Sequence, residues 1–161
     1  MNALLRSRIG LVRLALENNA DSTIGFLALP STHRTFPPEI PLSYQQFLRE
    51  ADGAACGVVL LFESDDILKY QLPAKTLPGG RQRWFCFGSV DEASLLLDVR
   101  MNAVYRVDPD EAFDPDDSLG DLDHFLLTCV FDTEYQEFVA DPSADAWFQL
   151  LKTCGHPAPS A

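Results

Sequence analysis

The stretch 40–53 constrains the fold of this chain more strongly than any other part of the sequence. Apolar side chains recur there at helical spacing, which predicts a short helix over about 43–52 with one face to bury. These side chains are Tyr44, Phe47, Leu48 and Ala51. Ser43 is placed as the N-cap, Gln46 completes a capping box, and Gly53 supplies the left-handed residue that ends the helix. The rest of the chain must provide the surface on which this helix packs.

The composition is typical of one globular domain. The chain has 161 residues, of which 47% are hydrophobic, and this is enough to build a core. No apolar run approaches the roughly 20 residues that span a bilayer. The cysteines have no paired spacing, which favours free, buried thiols in a reducing cytoplasm. They are Cys56, Cys86, Cys129 and Cys154.

The first twenty residues are open to two interpretations. Arg6, Arg8 and Arg13 lie among apolar residues and few acids, the composition of an organelle transit peptide. The apolar residues alone predict the core face of a first domain helix, because their spacing is helical. They are Leu5, Ile9, Val12 and Leu16. We favour the domain helix, since cleavage here would remove a well-formed helix from a small domain.

Strand patterns occupy the middle of the chain, between helical patterns at both ends. Four runs are rich in β-forming residues: 58–62, 84–87, 94–98 and 103–107. The last three are joined by short connections, which favours an antiparallel meander, and the first reads as a strand buried on both sides. The sequence therefore predicts a single α+β domain over 1–154, with a central, largely antiparallel sheet of about four to six strands flanked by N- and C-terminal helices. Residues 155–161 are expected to form a flexible tail.

The segment 72–83 interrupts these patterns. It holds two prolines and the pair Gly79-Gly80, which predicts an irregular, mobile loop. At its end, Arg81 and Arg83 lie beside Trp84. These arginines form either an exposed contact site or a cation–π stack within the domain.

Negative charge is concentrated in one segment, 108–123, which we call the acidic segment. It holds eight acidic residues and no Lys or Arg, so it carries two thirds of the net charge of −12. A field concentrated in this way steers a basic partner and disfavours nucleic acid and anionic membranes. An equally open interpretation is a solvated loop that only keeps the protein soluble. The candidate partner-binding residues are Asp110, Glu111, Asp114, Asp116, Asp117 and Asp121.

Other patterns indicate no catalytic residue, metal site or cofactor. Asp114-x-Asp116 begins like an EF-hand loop, but Phe125 stands where the bidentate Glu belongs. The three histidines share no metal-ligand spacing, and no glycine loop of the phosphate-binding kind is present in the sequence. We therefore expect no metal and no cofactor.

The helix at 43–52 and the strand patterns after it resemble the SUKH superfamily, which groups fungal cell-wall-synthesis regulators with bacterial immunity proteins. The resemblance runs from Pro41 to Phe125, roughly half of the chain. Its signature positions are Pro41, Tyr44, Phe47, Leu48, Gly53 and Gly88. The chain departs from the family at 89–93, where many relatives carry an Asp-Gly-Gly cluster.

The resemblance implies a binding protein without catalysis, in which the signature positions are structural. Bacterial relatives are typically immunity proteins that neutralise polymorphic toxins, many of them nucleases, and fungal relatives act as signalling scaffolds. We therefore expect a cytoplasmic, non-enzymatic protein that blocks a basic toxin by direct contact through the acidic segment. The alternative is a scaffold or regulatory module that recognises other cellular proteins or forms a homodimer. An enzyme is the third hypothesis, and it would require a pocket with convergent titratable groups.

Overall fold

Six antiparallel strands form the centre of the fold in this computed structural model, which describes residues 1–21, 23–31 and 35–155. Each strand pairs with the next one along the chain, so the sheet is a meander with β1 and β6 at its edges. The strands are β1 (Gly25–Leu27), β2 (Ala54–Cys56), β3 (Val59–Leu61), β4 (Trp84–Val90), β5 (Ala93–Asp98) and β6 (Ala103–Val107). The predicted α+β class is confirmed.

Helices precede, interrupt and follow the strands. The α-helices are α1 (Ala3–Glu17), α2 (Leu42–Leu48), α3 (Leu72–Thr76), α4 (Leu122–His124) and α5 (Ala146–Thr153). The α4 helix continues directly into a π-helical segment, Phe125–Val130. Short 3-10 helices cover Ile67–Tyr70, Gly80–Gln82 and Thr133–Phe138. No helix in the described part of the chain is long and apolar enough to cross a bilayer.

The predicted core face of α1 is confirmed. Leu5, Ile9 and Val12 are buried, and Leu16 packs against the same core. The helix begins where the side chain of Asn2 accepts a hydrogen bond from the backbone amide of Leu5 over 2.7 Å, as an N-cap residue does. An amphipathic stripe at this spacing has one favourable place in a small domain, which is against the sheet.

The predicted ends and capping box of α2 are wrong. The helix covers Leu42–Leu48, and Pro41 occupies the N-cap position without a side-chain hydrogen bond. The Pro41 carbonyl accepts from the amide of Gln45 over 2.9 Å, so the proline starts the helix with its backbone alone. The Gln46 side chain accepts instead from the N-terminal ammonium of Met1. Gly53 has the expected left-handed φ of +93°, but it lies beyond the end of the helix.

Several boundaries elsewhere also differ from the predictions. Segment 72–83 contains α3 and a 3-10 helix instead of an irregular loop, since a proline is tolerated in a first helical turn. Strand β4 continues through Gly88 with a local irregularity in its register. The sequence pattern favours Ser143 as the N-cap of the last helix, but Asp145 caps α5 and accepts from the amide of Phe148 over 2.7 Å. The predicted tail beyond Gly155 lies outside the described residues, as do His33 and His156.

The two faces of the sheet are covered to different extents. One face holds the main core, to which α1, α2, α5 and the π-helical segment all contribute side chains. The other face, which we call the open face, carries a smaller cluster of buried side chains: Ala74, Trp84, Cys86, Leu96 and Tyr105. On this face Phe26 is 54% exposed and Leu60 is 43% exposed. The expectation that the strand around Leu60 is buried on both sides is therefore wrong.

The four cysteines are free thiols, as predicted. Cys56, Cys86 and Cys129 are buried, and Cys154 is half-buried. Burial raises the pKa of all four, and that of Cys86 rises to about 11. A thiol with a raised pKa stays protonated and weakly reactive at neutral pH.

Candidate protein-binding face

Phe113 attaches the acidic segment to the open face. Its ring packs edge-on against Trp84 and Tyr105, with centroid separations of 5.2 and 5.4 Å. Trp84 and Tyr105 also meet edge-on at 5.5 Å, so the three rings form one cluster. Edge-to-face pairs of this kind add stabilisation beyond the area that they bury. The sequence places a lone aromatic residue among the acids, and the fold uses it as an anchor.

Backbone hydrogen bonds hold the end of the same segment against β6. The amide of Leu119 donates to the carbonyl of Val104, and the amide of Val104 donates to the carbonyl of Gly120, both over 2.8 Å. The Tyr105 hydroxyl donates to the carbonyl of Pro115 over 3.3 Å. The acidic segment therefore follows the edge of the sheet, with several points of attachment.

All six candidate acids of this segment are exposed. Glu111, Asp114 and Asp117 line one polar depression of about 290 Å³ beside β6, while Asp110, Asp116 and Asp121 lie outside it. Asp114 accepts from the backbone amide of Asp116 over 2.9 Å, and Asp121 accepts from that of His124 over 2.8 Å, as the N-cap of α4. These bonds shape the backbone and leave carboxylate oxygens facing solvent.

The six signature positions lie in the interior or at the start of α2, away from the acidic segment. Tyr44, Phe47, Leu48, Gly53 and Gly88 are buried, and Pro41 is partly exposed. The Tyr44 hydroxyl contacts the carbonyl oxygens of Phe62 and Phe87 at 2.7 and 3.1 Å, which joins α2 to β4 and to the end of β3. These positions hold the helix on the sheet.

A second feature of the open face was missed by sequence reasoning. Phe26, Leu60, Phe62 and Tyr70 line a cleft of about 290 Å³ over β1, β2 and β3, and we call it the apolar cleft. The rings of Phe62 and Tyr70 pack at 4.6 Å and form one wall. Tyr70 is 47% exposed, and Phe26 and Leu60 are exposed to similar extents. An exposed apolar concavity of this kind is typical of a binding surface.

Three carboxylates stand at the rim of the apolar cleft: Asp52, Glu63 and Asp66. Asp52 is held by hydrogen bonds from the Ser64 amide and hydroxyl, both over 2.8 Å, and from the Ser31 hydroxyl over 2.5 Å. Asp66 pairs with Lys69. The apolar cleft is thus bordered by fixed negative charge.

One row of side chains connects the apolar cleft to the acidic segment. Residues that face one another across adjacent strands point to the same side of a sheet. The row across the open face is Phe26, Ala55, Leu60, Ser89, Ser94 and Val107. It crosses six strands, a span of about 24 Å at the usual strand spacing. At its far end, Val107 shares a depression of about 450 Å³ with Leu72 and Phe113.

Arg81 and Arg83, for which the sequence allowed a contact site or a cation–π stack, have different surroundings. The guanidinium of Arg83 lies 4.8 Å from the ring centroid of Trp84, and its Nε is 2.8 Å from the buried carboxylate of Asp98. Arg83 therefore belongs to a stack within the domain, whereas Arg81 is exposed. Within the described residues no group of three or more His, Cys, Asp or Glu side chains could hold a metal ion.

No protein-family model matches the chain, and no curated protein matches it. The SUKH resemblance therefore stays a prediction carried by the signature positions.

Proposed function

We propose that this domain is a non-enzymatic binding protein whose acidic segment contacts a basic protein partner. The observation that carries the proposal is the attachment of the segment: Phe113 and the hydrogen bonds to β6 hold a run of exposed acids at one edge of the sheet. A flexible polyanion would lose conformational entropy when it bound, whereas an attached segment loses less. Attachment of this kind favours a contact surface over a purely solubilising loop.

The charge distribution supports a basic partner in particular. Eight acids in the segment give a local field that attracts positive charge and raises the association rate at low ionic strength. The resemblance to SUKH immunity proteins makes a toxin the class of basic protein that we expect, and a nuclease toxin would present a cationic groove. Inhibition would then follow from occupation of that groove in the cytoplasm.

The test begins with the full chain as bait in a lysate of its source organism, at low and high salt. One dominant basic protein that is lost at high salt is expected, and mass spectrometry identifies it. Several unrelated partners that persist at high salt would favour the scaffold alternative instead. Inhibition of the purified partner's own activity then separates an immunity protein from a scaffold.

Association kinetics with that purified partner test the segment directly. The triple variant Asp114→Asn, Asp116→Asn and Asp117→Asn removes three charges and keeps side chains that can form the same turn. We expect an on-rate about tenfold lower at low salt, with a much smaller change in the off-rate. The matched control is Glu17→Gln, Glu39→Gln and Glu137→Gln, which removes the same charge from exposed positions outside the segment. Equal on-rates for the two triple variants would remove the acidic segment from the contact.

A further inference from the structure

We propose that the apolar cleft receives an aromatic or long aliphatic side chain that is flanked by Lys or Arg on the basic partner. This inference rests on the proposed function and extends it from an electrostatic edge to a surface with a defined anchor point. Protein interfaces commonly combine a desolvated apolar anchor with a polar rim. The open face offers both, because the apolar cleft at one end of the row of side chains has carboxylates at its rim.

The apolar lining is the first argument. Phe26, Leu60 and Tyr70 are each between two fifths and three fifths exposed and line one concavity, and a contiguous apolar patch, unlike a single exposed apolar residue, is typical of a binding surface. The register of β1, β2 and β3 brings the first two side chains to the same face, and the Phe62 ring stacks behind Tyr70. A side chain that enters the cleft would contact aromatic and aliphatic surface on several sides.

The charge at the rim is the second argument, and it selects the occupant. Asp52, Glu63 and Asp66 line the same cleft, and Lys69 pairs with one of them. If the apolar side chain had acidic neighbours on the partner, the rim carboxylates would repel those neighbours. Basic neighbours would instead place cations beside these carboxylates. The occupant is therefore an apolar residue within a basic segment.

The position of the cleft is the third argument. It lies at the β1 edge of the open face, and the acidic segment lies at the β6 edge, about 24 Å away along one row. The side chains between them are small or half-buried, among them Ala55, Ser89 and Ser94. A basic surface laid across this row would reach the acids at both edges.

Peptides of defined sequence test the cleft without waiting for the partner. The full chain, labelled with ¹⁵N, is titrated with acetyl-Lys-Lys-Trp-Lys-Lys-amide, with the same peptide carrying Ala in place of Trp, and with acetyl-Glu-Glu-Trp-Glu-Glu-amide. We expect amide shifts at Phe26, Ala55 and Leu60 with the first peptide. Replacement of Trp by Ala should weaken binding about tenfold, because the apolar contact is lost. The Glu-flanked Trp peptide should bind no more tightly than the Lys-flanked Ala peptide.

A matched pair of variants completes the test. Leu60→Ser should weaken the basic Trp peptide about tenfold, while Met101→Ser, at an exposed position in the turn between β5 and β6, should leave it unchanged. Shifts confined to 108–123 with equal affinity for the Trp and Ala peptides would overturn the cleft proposal and leave the proposed function standing. If the Glu-flanked Trp peptide bound as tightly as the Lys-flanked Trp peptide, the proposal that basic residues flank the occupant would be wrong. A wild-type dimer in sedimentation that Leu60→Ser dissociates would make a second copy of this chain the occupant, which would also overturn the proposal.

Discussion

Arg8 and Phe131 are joined by a buried hydrogen bond, in which Arg8 Nε donates to the Phe131 carbonyl oxygen over 2.6 Å. The guanidinium also donates to the carbonyls of Leu151 and Gly155, and it lies 3.7 Å from the carboxylate of Asp132. Phe131 follows the π-helical segment, and Leu151 and Gly155 lie at the end of α5, so one arginine connects two separate helical ends. The Arg8 side chain therefore links α1 to the C-terminal part of the domain.

We expect Arg8→Met to lower the free energy of unfolding by about 3 kcal/mol, because buried carbonyls lose their hydrogen-bond donor and Asp132 loses a buried cation 3.7 Å away. Urea unfolding followed by circular dichroism measures the change. The control is Arg6→Met on the same helix, where the arginine is 60% exposed and pairs with Glu50 over 2.8 Å. An exposed pair contributes about 0.5 kcal/mol. Equal losses for the two variants would show that the burial of Arg8 carries no special stabilisation.

Gly88 gives the second prediction, because it lies in β4 where the backbone of β3 comes close. A Cβ atom at this position would overlap the carbonyl oxygen of Leu60. We expect Gly88→Ala to destabilise the domain by about 3 kcal/mol, since two paired strands must separate to make room. Gly10→Ala is the control: a Cβ there meets no atom within 4 Å, and alanine favours the helix. Gly10→Ala should raise stability by about 0.5–1 kcal/mol, and the opposite signs of the two effects are the readout.

The fold was predictable where local patterns determine it. The spacing of Leu5, Ile9 and Val12 is helical, and the alternation in 103–107 is that of a strand, so α1 and β6 lie where the sequence predicts them. Strand β2 was missed because its residues 54–56 are small and carry no β-branched side chain. The local sequence gives it no signal, and pairing with β1 and β3 on both sides makes it a strand.

The candidate binding face was predictable only at its acidic edge. A charge cluster is visible in the sequence because its members are neighbours along the chain. The apolar cleft joins Phe26 and Leu60, which are more than thirty residues apart and meet through strand register, to Tyr70, which lies in the 3-10 helix after β3. The sequence similarly shows Arg8 only as one of three arginines with a transit-peptide-like composition, because its carbonyl acceptors lie more than a hundred residues away. Contacts of this kind depend on topology, which a periodicity argument does not determine.

The Cys86 thiol gives a prediction about alkaline pH. Burial raises its pKa from an ordinary 9.0 to about 11 in the folded state. Between these values the folded chain keeps a proton that the unfolded chain has lost, so stability falls as pH rises through this window. Over the whole window this one thiol contributes about 3 kcal/mol, of which about 2 kcal/mol is lost by about pH 10.5. Stability is expected to be constant, as far as Cys86 is concerned, below about pH 8.5.

Urea midpoints at pH 8 and pH 10.5 test this prediction. Cys86→Ala should lose less stability than the wild type over this interval, whatever its stability at pH 8. Cys154→Ala serves as the control, because Cys154 is only half-buried, and its decline with pH should stay closer to that of the wild type. Parallel declines for the wild type and Cys86→Ala would mean that the folded thiol ionises normally.

The last prediction concerns Phe113, on which the proposed contact surface depends. Phe113→Ala removes two edge-to-face contacts, and we expect a loss of about 2 kcal/mol. Hydrogen exchange at the Leu119 amide, which donates to Val104, should become faster than global unfolding allows, since the segment can then separate from β6 locally. The control is Phe148→Ala, another half-buried phenylalanine, whose ring lies on α5 beneath Lys152. Phe148→Ala should lower the free energy of unfolding by a similar amount. The Leu119 amide should then exchange only through global unfolding.

The stability loss and the hydrogen exchange at Leu119, measured together, distinguish a role of Phe113 as an anchor from general destabilisation. If Phe113 is the anchor, its loss frees the acids without unfolding the sheet, so a basic partner would meet a flexible polyanion and dissociate faster while its on-rate stays high. Unchanged exchange at Leu119 in Phe113→Ala would mean that the hydrogen bonds to Val104 hold the segment without the ring. In that case the attachment would come from β6 alone, and the segment between Asp108 and Pro115 would present its charges without a fixed position.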